Sequence, residues 1–345
     1  MIHFVEEFPG RIINTEEGSF HYFGGTAYLG LQTHPEFQQL FIKNITKYGT
    51  NYGASRKSNI RFSIYNEVET YLANLVGSES CVTLSSGYMA SQLVSRFFTS
   101  EDYTCYHAPL THASLLQIGQ KPFESYKLLQ EKFKQNSKDT TPVIFLDAID
   151  FLGNNYPKFS FLTEIDLSNT ILVIDDSHGL GVLGEKGEGV YKIASKLNSK
   201  ELIVCGSLGK GFGVQAGAIF GTKNSIESLI NTSFFGGASP ASPAAVSTIL
   251  EAEKTYTSQI KKLIENDEYL SNKLEDSTFF TKVAKHPTYT FFDEKLTKHL
   301  LDNNILITSF NYPEENSPLM SRIVVSAYHT KEDLDFLAKV IKLYK

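Results

Sequence analysis

Short unbroken apolar runs punctuate the first two thirds of the chain: 81–84, Tyr103–His107, 143–147, Ile171–Asp175, 202–205 and Gly217–Gly221. The runs at 143–147, 171–175 and 202–205 do not alternate polar with apolar positions, which is the pattern of strands buried on both faces of a sheet. Helical patterns stand between and before them. Pro35–Tyr48 has Pro in its first turn and Gly49 past its end, the usual asymmetry of helix termini. Ile64, Val68, Leu72 and Val76 recur at helical spacing. Residues 119–140 read as a helix with a polar trailing loop, and 243–273 as one long helix. After it, strands at 289–292, 305–310 and 322–326 alternate with helices at 295–301 and 331–344. Two strand-like pieces, 11–13 and 19–23, flank a Glu-Glu-Gly turn near the N-terminus. The expected class is α/β, with an open, mostly parallel sheet.

Composition narrows this picture. A chain of 345 residues at 41% hydrophobic can build one large or two modest domains. A net charge of −6 without a basic cluster argues against nucleic acid as a partner. The run 186–200 is mixed in sign and reads as a solvated face. No stretch of about 18 apolar residues exists, so no membrane span is expected, and the N-terminus does not resemble a signal peptide. Cys81, Cys105 and Cys205 are an odd number, lack CxxC spacing and sit in or beside apolar runs. They read as free buried thiols in a reducing compartment, which points to a cytoplasmic protein.

The chemistry concentrates where two apolar runs end. Ile171–Asp175 breaks into Asp176-Ser177-His178-Gly179, and 202–205 into Gly206-Ser207-Leu208-Gly209-Lys210-Gly211. In an open parallel sheet, ligands bind outside the carboxyl ends of the strands. Asp175, His178 and Lys210 are therefore expected in one crevice. An acid, an imidazole and a glycine-flanked lysine suit a cofactor with a cationic ring nitrogen, a ring oxygen and an aldehyde. Pyridoxal 5′-phosphate (PLP) is that cofactor. Ser86-Gly87-Tyr88 follows another strand and opens a helix. Alone it reads as an ordinary helix cap or as a phosphate cradle of backbone N–H groups. Beside Lys210 the cradle is the favoured reading. Gly179-x-Gly181-x-x-Gly184 spells the dinucleotide fingerprint, but Glu185 to Gly189 cannot open the helix that fingerprint requires. The segment Gly206 to Lys210 is no P-loop, because Gly211 stands where Ser or Thr would bind magnesium.

These motifs resemble those of the α-oxoamine synthases, PLP enzymes of fold type I that include 8-amino-7-oxononanoate synthase, 2-amino-3-ketobutyrate CoA ligase and serine palmitoyltransferase. Asp175 to Gly179 and Ser207 to Gly213 carry the resemblance. Tyr28-Leu29-Gly30-Leu31, the glycine-rich loop 49–56, Thr111-His112-Ala113-Ser114 and Arg322 to Thr330 support it. The sequence departs from the family at several places, among them Asn59 to Phe62 in place of Ser-Gly-Thr-His and Thr111 in place of Asn. Thr26-Ala27 replace two polar residues, Tyr65 stands for a histidine, and Phe151 stands for a serine near the cofactor ring oxygen.

The resemblance implies the fold-type-I architecture: an N-terminal segment (1–48), a large PLP-binding domain (49–240), and a bridging helix with a smaller α+β domain (241–345). It implies PLP on Lys210, Asp175 on the ring nitrogen, His178 on the phenolic oxygen and His112 stacked on the ring. Ser207 and the Ser86-Gly87-Tyr88 turn would hold the phosphate, Gly237 would reach a neighbouring subunit's phosphate in a homodimer, and Arg322 would bind the substrate carboxylate. No metal is implied. The implied reaction condenses a small amino acid with an acyl thioester, on CoA or a carrier protein, and releases CO2 to give an α-aminoketone. A different reaction on this fold, transamination or aldol cleavage, and a non-catalytic homologue are the alternatives.

Overall fold

The computed structural model describes residues 3–136, 139–311, 317 and 319–344. The chain opens with a hairpin, β1 (Ile12–Thr15) and β2 (Gly18–Phe23), then α1 (Pro35–Tyr48) and α2 (Ile64–Val76). Next come β3 (Ser80–Leu84), α3 (Gly87–Phe97), β4 (Tyr103–His107), α4 (Tyr126–Phe133) and β5 (Thr141–Asp147). They are followed by β6 (Ile171–Asp175), α5 (Tyr191–Ala194), β7 (Glu201–Ser207) and β8 (Gly217–Gly221). Four helices come after these: α6 (Lys223–Ile230), α7 (Ser233–Gly237), α8 (Pro243–Glu251) and α9 (Glu253–Lys273). The last elements are β9 (Thr281–Lys282), β10 (Thr288–Phe291), α10 (Glu294–Asp302), β11 (Ile305–Asn311), β12 (Leu319–Val324) and α11 (Lys331–Leu343).

The unbroken apolar runs form one six-stranded sheet in the order β3-β8-β7-β6-β5-β4. Strands β4 to β7 run parallel, and β8 is antiparallel to both its neighbours. Every residue of β6 and β8 is buried, as a strand covered on both faces must be. The register matters most for function. Asp147 pairs with Asp175, and Asp175 with Cys205. The carboxyl ends of β5, β6 and β7 therefore lie side by side at one edge.

A second sheet has the order β1-β2-β11-β12-β10-β9, with β2 parallel to β11. The N-terminal hairpin thus completes a sheet made mostly of C-terminal strands. Arg11 donates from Nη1 to both carboxylate oxygens of Asp333, at 2.9 and 3.0 Å. Asp333 also closes a capping box with Thr330 at the start of α11.

Two helices differ from the periodicity. The expected helix at 243–273 is two, α8 and α9, broken at Ala252 (φ −96°, ψ 15°). Helical bonding continues across the break, Ala252 N–H to Thr248 and Tyr256 N–H to Ala252. No Gly or Pro marks the site, so propensity could not show it. Among the described residues of 119–140, only Tyr126–Phe133 is α-helical, capped by Ser125. Gly119 at φ +81° and Pro122 keep the preceding stretch out of the helix.

His329 ties the chain just after β12 to β2. Its Nδ1 lies 2.9 Å from the Ser326 N–H and its Nε2 2.9 Å from the Tyr22 carbonyl. A donor faces one nitrogen and an acceptor the other, so the ring is neutral with its proton on Nε2. Burial pulls its pKa down to about 4 from 6.5. As pH falls, the unfolded chain therefore takes up this proton first. The associated stability is complete above about pH 6.5 and is lost as pH falls toward 4. Urea midpoints should drop between about pH 7 and pH 5, with His329 contributing on the order of 2 kcal/mol. His107 and His286, also buried, have pKa values lowered by burial to about 4 and about 3 and add to the trend. His329→Gln should flatten its share of the slope; a wild-type midpoint independent of pH over this range would contradict the assignment.

Candidate active site

The loops leaving β6 and β7 are pressed together. A Cβ on Gly211 would sit 2.2 Å from the Leu180 carbonyl, and one on Gly181 would sit 2.6 Å from the Gly211 carbonyl carbon. Glycine is required at both positions by backbone contact. This accounts for part of the dinucleotide-like spelling without a dinucleotide, since the next helix, α5, starts only at Tyr191. Hydrogen bonds from Leu208 N–H to Ala216 (2.9 Å) and from Val214 N–H to Leu208 (3.2 Å) close the loop that carries Lys210.

Lys210 and His178 meet in a cavity of about 340 Å³. The Lys210 Nζ is 2.8 Å from His178 Nε2, and His178 Nδ1 is 2.7 Å from the Tyr28 hydroxyl. Burial, and then the nearby Lys210 cation, hold the His178 pKa well below its usual value. Burial also lowers the Lys210 pKa, opposed by Asp175 and Asp147. A lysine tuned this way has an enlarged free-amine fraction, as a nucleophile or base needs.

Asp175 lies buried at the end of β6. Its Oδ2 accepts from Ser91 (3.1 Å) and Ser114 (3.4 Å), and its Oδ1 from the Ser177 N–H (2.8 Å). Asp147, its register partner, lines the cavity and accepts from the His112 N–H at 3.2 Å. Burial, then the Asp175 charge, push the Asp147 carboxyl well above the usual range, toward its neutral form. His112 sits exposed on the cavity wall, its Nδ1 2.8 Å from the Ser114 hydroxyl.

Ser86 caps α3, its hydroxyl accepting from the Met89 N–H at 3.2 Å. Gly87 lies against Ser207: a Cβ there would stand 2.6–2.7 Å from the Ser207 Cβ, Cα and N. The amino end of α3 therefore abuts the residue three before Lys210. In general, the first N–H groups of a helix and its dipole favour an anion.

Arg322, on β12, reaches the same cavity from the small sheet, with its guanidinium 4.2 Å from the Phe151 ring centroid and 5.5 Å from that of Phe310. Leu110, Ile149, Met320 and Val324 give the remaining wall an apolar surface.

Lys210, His178, His112 and Arg322 thus share one cavity, with Asp175 beneath it and Ser86, Gly87 and Ser207 at a common junction. Ser86, Gly87, Tyr88, Asp175, Ser207 and Gly237 are not among the residues lining it. Tyr88 is 55% exposed. Gly237 ends α7 on the surface, with open space where a Cβ would be. Tyr28, Asp147, Phe151 and His286 belong to the site or touch it, yet none was assigned a role from sequence. Asp147 ends an apolar run just as Asp175 does, so that signal was present. Buried His286, whose Nε2 is 3.1 Å from the His178 carbonyl, is brought in by tertiary packing alone.

Residues 157–341 match the family model for aminotransferase class I and II. The chain is 30% identical over 329 residues to 8-amino-7-oxononanoate synthase of Thermosipho melanesiensis, covering 90% of this chain and 84% of that one. It is 26% identical over 357 residues to serine palmitoyltransferase of Bacteriovorax stolpii, covering 97% and 85%. Its fold matches that of Sphingomonas wittichii serine palmitoyltransferase with a TM-score of 0.82 at 17% identity, over 99% of this chain and 91% of that one. It matches the Francisella tularensis 8-amino-7-oxononanoate synthase with a TM-score of 0.73 at 19% identity, over 93% and 96%.

Fold and site together define an α/β protein of the PLP-dependent fold-type-I class. Within that class, the chain belongs to the α-oxoamine synthase family.

Proposed function

We propose that this protein is a PLP-dependent acyltransferase of the 8-amino-7-oxononanoate synthase type. It condenses a small amino acid with an acyl thioester, from CoA or a carrier protein, forming a C–C bond as the C–S bond breaks, and releases the free thiol, CO2 and an α-aminoketone. The observation that carries this reading is the meeting of Lys210 and His178 in a cavity that Arg322 enters from the opposite sheet.

The residues fit PLP. A buried amine faces the cavity, a carboxylate lies under it, and the α3–Ser207 junction is a cradle that a Cβ at Gly87 would fill. When bound, PLP supplies an aldehyde for the amine and an electron-withdrawing ring for the charge that develops at Cα. Lys210 would hold the aldehyde carbon and, once released by the incoming amino acid, take the Cα proton. Asp175 would keep a proton on the ring nitrogen, since an adjacent carboxylate favours the charged form. His178 would bond the ring oxygen and His112 would cover the ring face. Ser86, Gly87, Tyr88 and Ser207 would hold the phosphate, Tyr88 through its backbone N–H. Arg322 would clamp the carboxylate, and the apolar wall would receive the acyl chain.

Alanine is the first candidate for the amino acid, with glycine and serine next. A mass-spectrometric product assay over a panel of amino acids and thioesters tests the reaction. An α-aminoketone with loss of the carboxyl carbon is expected; a 2-oxo acid as the only product would show a transaminase instead.

We also propose a cytoplasmic homodimer. Ser55 donates to the Gly236 carbonyl at 2.7 Å and Lys57 to that of Thr232 at 3.2 Å. These bonds fix α7 at the surface, where Gly237 can meet a partner's phosphate site. Sedimentation should report twice the chain mass for the PLP-saturated enzyme; a fully active monomer would refute the shared site.

A further inference from the structure

Phe151 has a backbone that phenylalanine rarely adopts. Its φ is +59°, a left-handed conformation costly for a bulky side chain. The turn is locked by Asp150, whose carboxylate accepts from the N–H groups of Leu152, Gly153 and Asn154 at 2.8–3.3 Å. The strain sets one ring in one place. Its edge meets His178 at 4.7 Å and 77°, and the Arg322 guanidinium lies over it at 4.2 Å. Phe310, next to β12 on β11, stands 5.5 Å from the same guanidinium. One aromatic ring comes from the large sheet and one from the small.

We infer that Phe151 is a positioning residue for substrate recognition: its ring holds the Arg322 guanidinium oriented in the cavity for the amino-acid carboxylate. The inference rests on the carboxylate-clamp reading of Arg322. An arginine stem has several rotatable bonds, and freezing them on binding costs affinity. A guanidinium already stacked on an aromatic face has lost that freedom beforehand.

Three substitutions test this. Phe151→Leu removes the ring but keeps bulk and apolarity, and Phe151→Tyr keeps the ring. Phe151→Leu should raise the amino-acid KM about 3- to 30-fold, the range of a cation–π contact, with kcat changed less than KM. Phe151→Tyr should stay near wild type. In an Arg322→Ala background, Phe151→Leu should raise KM no further, because the residues act as one unit. A second readout needs no cofactor. Phenylglyoxal should modify Arg322 faster in PLP-free Phe151→Leu than in PLP-free wild type, as mapped by peptide mass. An unchanged KM and modification rate in Phe151→Leu, or additive losses in the double variant, would overturn the inference. If Arg322→Ala alone leaves KM unchanged, the clamp reading fails instead, and the phenylglyoxal rates still decide whether Phe151 holds Arg322.

Discussion

Lys210→Ala is expected to lose covalent PLP attachment entirely and to lose turnover by at least about 10²- to 10⁴-fold, the usual share of a positioned proton-transfer group. The amine is buried, and burial depresses its pKa. The nearby Asp175 and Asp147 oppose that shift, which leaves an amine that can both attack a carbonyl carbon and accept a proton. His178 at 2.8 Å gives it a fixed direction. The loop should survive the substitution, because backbone bonds between Leu208 and Ala216 and between Val214 and Leu208 close it, not the side chain. The check is chemical. Borohydride reduction of the PLP-loaded protein followed by peptide mapping should mark Lys210 in wild type and no peptide in the variant. A mark on any other lysine would remove Lys210 from the role.

Asp175, His178 and Lys210 were legible because each follows an unbroken apolar run, and such runs end together at one edge of a parallel sheet. Asp147 ends another of these runs and gives the same signal. The helix-cap sequence at Ser86 was legible for the same local reason. Tyr88 belongs to the same motif: its side chain is exposed, and its place there rests on its backbone N–H at the start of α3. What the sequence hid is non-local. The N-terminal hairpin pairs with β11, nearly the whole chain away, and no periodicity reports a partner. His329 belonged to the Arg322 to Thr330 motif, yet its observed contacts are structural ones to Ser326 and Tyr22. Phe151 looked like a lost serine; only its left-handed backbone and the guanidinium stacked on it show what the ring touches.

Arg322→Ala should weaken amino-acid binding by about 30- to several-thousand-fold while PLP stays bound. The estimate is that of truncating one partner of a buried, hydrogen-bonded charge pair, about 2–5 kcal/mol. Position supports it. Arg322 lies on β12 between β10 and β11, opposite Thr290 and Thr308, so its backbone is held from both sides. Its head group reaches a cavity shared with Lys210 and His178. PLP should stay because the residues proposed to hold it, Lys210, Asp175, Ser86 and Ser207, belong to the other sheet and its loops. Arg322→Lys should recover only part of the loss, since an ammonium cannot make the paired fork contact with a carboxylate. In the proposed reaction this carboxylate leaves as CO2, so its orientation governs the condensation as well as binding, and turnover should fall at least as far as affinity. A spectral titration of the PLP-loaded variant with the amino acid decides the matter: binding as tight as wild type would mean that another group holds the carboxylate.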